Sequence, residues 1–280
     1  MNNKTITITK MSGEKAQFKE SRLINSLERS GASEDTIQNI TNKIKAYLFE
    51  GISTKEIYKK ALALLKKSSR PTAARYKLKK AITELGPTGY PFERFIGEIL
   101  RNQGFEVEVG VIVPGHCVNH EIDVIAEKDD KHYIIECKFH SDQSRKCDVK
   151  IPLYIKSRFD DVEKERKKNP NNNGKKHKGW IYTNTRFTTD AIQYGNCAGL
   201  SLVSWDSPNG NSLREIIDHS GLHPVTSLTS LTKKEKQLIL ENDTVLSIQL
   251  CKNPEILYEV GIKRSKHRAI LKEANELCRG

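Results

Sequence analysis

The 280 residues are 36% hydrophobic and 29% charged, enough for about two or three compact domains with cores of their own. No apolar run approaches the roughly 18 residues of a membrane span, and the opening MNNKTITITK lacks the apolar stretch of a signal peptide, so the expectation is a cytoplasmic protein with no membrane partner. The net charge of +12 points to a polyanionic partner such as nucleic acid, while six scattered cysteines without a C-x-x-C pair argue against a zinc site and a disulfide framework.

The first segment reads as a β-hairpin followed by four helices. Residues 5–9 alternate strictly before a Ser12-Gly13 turn, and a second extended run reaches Phe18. Leu23, Ile24 and Leu27 share a helical face, Ser33 caps a helix carrying Ile37, Ile40, Ile44 and Leu48, and Ser53-x-x-Glu56 is a capping box. Pro71 suits the first turn of a fourth helix with Ala74, Leu78, Ile82 and Leu85 inward, ending at Gly86-Pro87. Domain boundaries are expected at 1–86, 87–218 and 219–280.

Beyond the linker the period changes. A helix from Pro91 leads through Gly104 into FEVEVGVIV, and two further strands, 120–126 and 132–139, are joined by a tight turn. A helix near 148–165, a strand at 180–184, a helix from 189, a strand at 200–205 and a helix at 212–218 complete an α/β order that predicts a mixed central sheet flanked by helices. The last segment reads as a small helical module: Thr232-x-x-Glu235 is a capping box, Asn253-Pro254 starts a short helix, and Ser265 caps a last one with Lys263, Arg264, Lys266 and Arg268 outward.

Two strands carry the chemistry. Glu121 and Asp123 are two apart and share a face, as do Glu136 and Lys138. Charges inside apolar strands are costly unless something pairs with them, and two carboxylates with one lysine at one sheet edge form a site that a hard divalent cation would complete. Asp123, twelve residues, then Glu136-Cys137-Lys138 resembles the PD-(D/E)xK nuclease signature. FERFIGEILRNQGFEVE (92–108) and KGWIYTNTRFTTDAIQYGNCAGLSLVSWD (178–206) resemble its Mrr-like restriction endonuclease branch. That resemblance implies a restriction-endonuclease-like fold and a Mg²⁺ (or Mn²⁺) dependent endonuclease acting on DNA. By it Asp123, Glu136 and the Cys137 carbonyl bind metal, Lys138 is catalytic and Glu93 is accessory. GHCVNHEID (115–123) replaces the glycine-rich lead-in common in that branch, which makes Glu121 a candidate extra ligand. The stretch 163–180 holds seven Lys or Arg against two Glu, and Lys167, Lys168, Lys175, Lys176 and Lys178 are expected to grip phosphate beside the site.

The first segment resembles the ATP-cone, a nucleotide-binding regulatory module, in ITKMSGEKAQFKESRLINSLERSG (8–31), GISTKEIYKKAL (51–62) and RPTAARYKLKKAI (70–82). The resemblance implies that Lys10, Met11, Arg22, Thr54 and Tyr58 hold ATP or dATP as an allosteric ligand. Met11 stands where an arginine is usual and Tyr58 where a histidine is common. It further implies a homo-oligomer, dimer or tetramer, whose association the nucleotide alters. The expected function is therefore a nucleotide-regulated DNA endonuclease, with defence against foreign DNA suggested by family analogy. The alternatives are a repair, junction or RNA nuclease, and a non-cleaving nucleotide-responsive DNA-binding regulator.

Overall fold

The computed structural model describes residues 6–10, 12–168 and 175–278. Strands β1 (Thr7–Thr9) and β2 (Lys15–Gln17) form the antiparallel hairpin. Helix α1 spans Glu20–Glu28, α2 Glu34–Lys45 with the Ser33 hydroxyl capping Thr36 N, and α3 Thr54–Ser68 opened by the reciprocal Ser53–Glu56 capping box. Leu23, Leu27, Ile40, Ile44, Ala61 and Leu65 make their shared core.

The single fourth helix expected from the sequence is two, α4 (Arg70–Tyr76) and α5 (Leu78–Thr83), meeting at Lys77. Lys77 is 6% exposed, and its ammonium donates to Glu84 Oε2 (2.6 Å) and to the Thr226 carbonyl (3.0 Å). Lys236 donates to the same two acceptors. A buried ammonium needs such partners, and one of them, the Thr226 carbonyl, comes from 149 residues along the chain. The inward side chains follow suit: Ala74, Leu78, Ile82 and Leu85 join the cluster of Phe92, Phe95, Leu228 and Ile270 rather than the core under the hairpin.

The central layer begins with α6 (Tyr90–Asn102), followed by β3 (Glu106–Pro114), β4 (Asn119–Lys128) and β5 (Lys131–Lys138). After the short β6 (Lys146–Cys147) come α7 (Lys150–Arg166), β7 (Lys176–Thr183), β8 (Arg186–Phe187), α8 (Thr189–Cys197), β9 (Leu200–Val203) and α9 (Leu213–Ser220). The sheet runs β3-β4-β5-β7-β9. Its first three strands are antiparallel neighbours, whereas β5-β7 and β7-β9 are parallel, joined by the crossovers through α7 and α8. The result is the mixed sheet the element order predicts. Ile96, Ile99 and Leu100 of α6 cover one face over Val124, Ala126 and Ile135. Phe159 and Val162 of α7 cover the other over Ile122, Ile125 and Ile134.

A 3₁₀ turn at Val225–Ser227 leads into α10 (Lys233–Glu241), α11 (Ser247–Lys252), α12 (Ile256–Glu259) and α13 (Arg264–Cys278). Two expectations are corrected here. Helix α13 starts at Arg264, so Ser265 lies inside its first turn, and Lys266 is bound to Glu235 (2.6 Å to Oε1) rather than offered to solvent. Glu273, 2% exposed, accepts from Thr229 N and Ser230 N and fixes the loop before α10. Among the described residues no helix is long and apolar enough to cross a membrane.

The β3–β4 turn is held from outside. Asp161 of α7 accepts from Cys117 N (2.9 Å), Val118 N (3.4 Å) and His120 Nε2 (2.8 Å). Gly115 is what allows this approach: a Cβ there would sit 2.1 Å from Asp161 Oδ2 and 2.5 Å from the Val118 carbonyl. Gly115→Ala is expected to destabilise the protein by about 1–3 kcal/mol, read as a lowered denaturant midpoint.

Candidate active site

The pairing of β4 with β5 runs in register up to Val124↔Ile135. Past that pair a side chain takes over from the ladder: the Cys137 N–H donates to Asp123 Oδ2 at 2.7 Å. Asp123 thereby reaches across to β5 beside Glu136. Glu136 has the strand parity of Ile134, a residue under α7, and Asp123 lies where the alternation of β4 breaks, between Ile122 in the cluster under α7 and Val124 in the cluster under α6.

Glu136 is 5% exposed. Its Oε1 accepts from Lys138 Nζ, two residues along the same strand, and its Oε2 from Arg158 of α7 at 2.5 Å. Arg158 also lies over the Tyr154 ring (5.1 Å), and its Nε is buried with no hydrogen-bond partner among the described residues. Glu93, on the first turn of α6, faces the same charges from the other side.

The electrostatics show an excess of negative charge. Burial first, then the charges of Asp123, Glu136 and Glu121, push the Glu93 carboxyl up to about 7. Burial and Glu136 raise Asp123 to about 6, against the Cys137 N–H, Lys138 and Arg158. Burial by itself would lower the Lys138 ammonium, but the charge and hydrogen bond of Glu136, with Asp123, carry it above its ordinary value. Four carboxylates thus face two cations. Carboxylate oxygens are hard donors, and one or two of them with a substrate phosphate suffice for Mg²⁺. The donor set therefore fits such an ion. Among the described residues no three His, Cys, Asp or Glu side chains are grouped so that they could hold a metal ion, so the fit is that of the two neighbouring carboxylates, Asp123 and Glu136.

Sequence reasoning overlooked Arg158 and Asp161, which sit in the charged run SRFDDVEKER where nothing local marks them. The lysines of 163–180 are not brought to the carboxylates. Lys176 pairs with Lys131 and Lys178 with Tyr133, whereas Thr183 is the residue that pairs with Lys138. At about 3.3 Å per residue the start of β7 lies roughly 20 Å from the acids, at the other end of the strands. Lys167, Lys168 and Lys175 are bound to Glu163, Glu165 and Glu127.

In the first segment Lys10, Arg22, Thr54 and Tyr58 line one cavity of about 220 Å³ with Phe18 and Tyr76. Met11 lies outside the described residues. The Tyr58 and Tyr76 rings are stacked, with centroids 5.3 Å apart.

Residues 87–153 match the restriction endonuclease family of the Mrr catalytic type, and residues 223–278 match the AF1548-like C-terminal domain. An uncharacterized protein of Archaeoglobus fulgidus is 33% identical over 182 residues, which is 65% of this chain and 99% of the relative. A crystal structure of a protein of unknown function, AF1548, shares 32% identity at a TM-score of 0.57, covering 69% of this chain and all of that one. The central layer is accordingly a domain of the restriction-endonuclease-like kind, and Asp123, Glu136 and Lys138 lie within the matched residues.

Because Glu93 and Asp123 bind protons more tightly in the folded protein than when unfolded, the stability they contribute is complete below about pH 4 and is lost as pH rises through about 6 to 7. In EDTA, denaturant midpoints are expected to fall across that window. Glu93→Gln should flatten the fall.

Proposed function

The chain belongs to the AF1548-like family, and we propose that it is a nuclease of the restriction-endonuclease kind that hydrolyses DNA with a divalent cation under nucleotide control. The observation that carries the first half is the under-neutralised carboxylate cluster closed by Lys138 and Arg158. Asp123, Glu136 and the Cys137 carbonyl would hold Mg²⁺ or Mn²⁺, with Glu93 and Glu121 at the margin. When bound, the ion supplies Lewis acidity toward the phosphate and eases deprotonation of a water.

The chain's own residues do the rest. Asp123 is aimed by its bond to Cys137 N, so the carboxylate keeps one orientation while its ligands change. Lys138, 29% exposed, is the cation a phosphodiester meets at the strand end. It is positioned to stabilise charge building on the phosphate. Arg158 donates to Glu136 in a buried setting and presents the same sign of charge as Lys138 from α7.

Nucleotide control is supported by the convergence of Lys10, Arg22, Thr54 and Tyr58 on one cavity. Two basic side chains for phosphate and a tyrosine for a base are the groups such a ligand needs. A contiguous path leads on to the acids. Thr83 of α5 accepts from Gln143 Nε2 (2.8 Å), just past β5, and Gly86 lies against the Phe139 ring, next to Lys138. ATP or dATP acts, on this reading, by altering a dimer or tetramer and with it the access of DNA to the site. A role in defence against foreign DNA rests on family analogy.

Plasmid cleavage tests both halves. The wild-type chain is expected to cut in Mg²⁺ and not in EDTA, with Asp123→Ala and Lys138→Ala slower by about a hundredfold or more. Its rate and its size on a gel-filtration column should change with ATP or dATP. DNA binding in EDTA and Mg²⁺ alike, with no cutting in either, would instead favour the non-cleaving regulator.

A further inference from the structure

A second cavity, of about 260 Å³, lies where three parts of the chain meet. The hairpin domain supplies Arg29 at the end of α1 and Tyr58 of α3. Helices α4 and α5 supply Arg75, Tyr76 and Lys79. The nuclease layer closes it with Trp205, just past β9, and with Arg214 and Asp218 of α9. It is distinct from the cavity of Lys10 and Thr54 but shares a wall with it, since the stacked Tyr58–Tyr76 pair lines both.

Its lining is chemically lopsided. Four cations, Arg29, Arg75, Lys79 and Arg214, face one carboxylate, Asp218. Lys79 lies over the Trp205 ring at 5.9 Å, and burial together with the nearby Arg186 charge holds its ammonium below the ordinary lysine range. Like charges gathered around a cavity repel one another and are relieved by an anion. Three of the four are guanidiniums, whose planar forks match phosphate oxygens two at a time. The other walls are aromatic, and the Tyr58 hydroxyl is buried with no partner among the described residues. Flat rings beside clustered arginines suit a ligand that is itself part ring and part phosphate.

We propose that this seam is a binding site for a nucleotide held jointly by both domains, its phosphates between Arg29, Arg75 and Arg214 and its base against the aromatic wall. Such a ligand bridges α1 of the hairpin domain to α9 of the nuclease layer, so it stabilises whichever arrangement of the two domains closes the seam. The assignment rests on the seam alone and does not require the cavity of Lys10 and Thr54 to bind anything.

Calorimetric titration of the full chain with ATP, adenosine and inorganic triphosphate tests it. ATP binding is expected to weaken by roughly tenfold or more in Arg29→Ala and in Arg214→Ala, and to recover substantially in Arg214→Lys, which also controls for folding. Arg22→Ala, confined to the other cavity, removes only what binds there, and the component lost in Arg29→Ala and Arg214→Ala should persist in it within about threefold. Isotherms unchanged in both Arg29→Ala and Arg214→Ala would overturn the seam site. Loss in Arg22→Ala alone would also overturn it while sparing the other cavity, and loss in the seam variants alone would do the reverse. Inorganic triphosphate binding as tightly as ATP would remove the base from the assignment.

Discussion

The Glu136 carboxylate is almost sealed from solvent, and a charge so placed must be answered by other charges close at hand. Lys138 answers from two residues along the same strand, which the pleat guarantees once β5 exists. Arg158 answers from a different element, and this has consequences for the whole layer. Helix α7 must lie where its guanidinium reaches β5. Three residues on, along the same helix face, Asp161 grips the β3–β4 turn. One helix thus holds both the Glu136 carboxylate and the entry of the strand that brings Asp123 opposite it. Removing either cation would leave a buried carboxylate with half its partners, a loss that costs more than the pair contributes.

The pairing is incomplete by design of charge rather than of shape. Burial first, and then the neighbouring carboxylates, hold the protons on Glu93 and Asp123 beyond the usual carboxylate range, and the cations bound to Glu136 only partly oppose this. A layer evolved for stability alone would place apolar groups or further cations there. Perturbed acids gathered at one strand end are where binding and catalysis are found, since a functional ligand supplies the missing charge. Between the strand ends, α6 and the inner end of α7 lay apolar side chains across the sheet in the ordinary way.

Much of this was legible in the sequence where the governing rule is local. Period-two alternation puts Glu136 with Lys138, and the caps expected at Ser33, Ser53 and Thr232 mark helix starts that the structure has. What could not be read depends on partners distant in the chain. Arg158 is one charge among many in its helix, and only the fold selects it for Glu136. Lys77 divides the fourth helix because Thr226 and Lys236 share its acceptor network, some 149 residues away for the Thr226 bond. The basic composition of 163–180 suggests a grip on phosphate but does not say where the chain carries it. A parallel crossover returns the chain to the start of the neighbouring strand, far from where β5 ends.

The same non-local packing decides how a signal from the first segment could travel. Had α4 and α5 completed the core under the hairpin, that domain would be a bead on a linker, free to bind a ligand without consequence. Their apolar face instead belongs to the cluster of Phe92, Leu228 and Ile270, while Tyr76 turns back to stack on Tyr58. The two helices are therefore held by both bodies at once. Any ligand that favours one setting of the Tyr58–Tyr76 wall must work against packing shared with the nuclease layer and, through Thr83 and Gly86, against the end of β5. Packed interiors respond to such a demand by switching between discrete arrangements, not by stretching. On the proposed reading, nucleotide control needs no contact between the ligand and Lys138. It needs only that the two settings of this shared helix pair differ at Phe139.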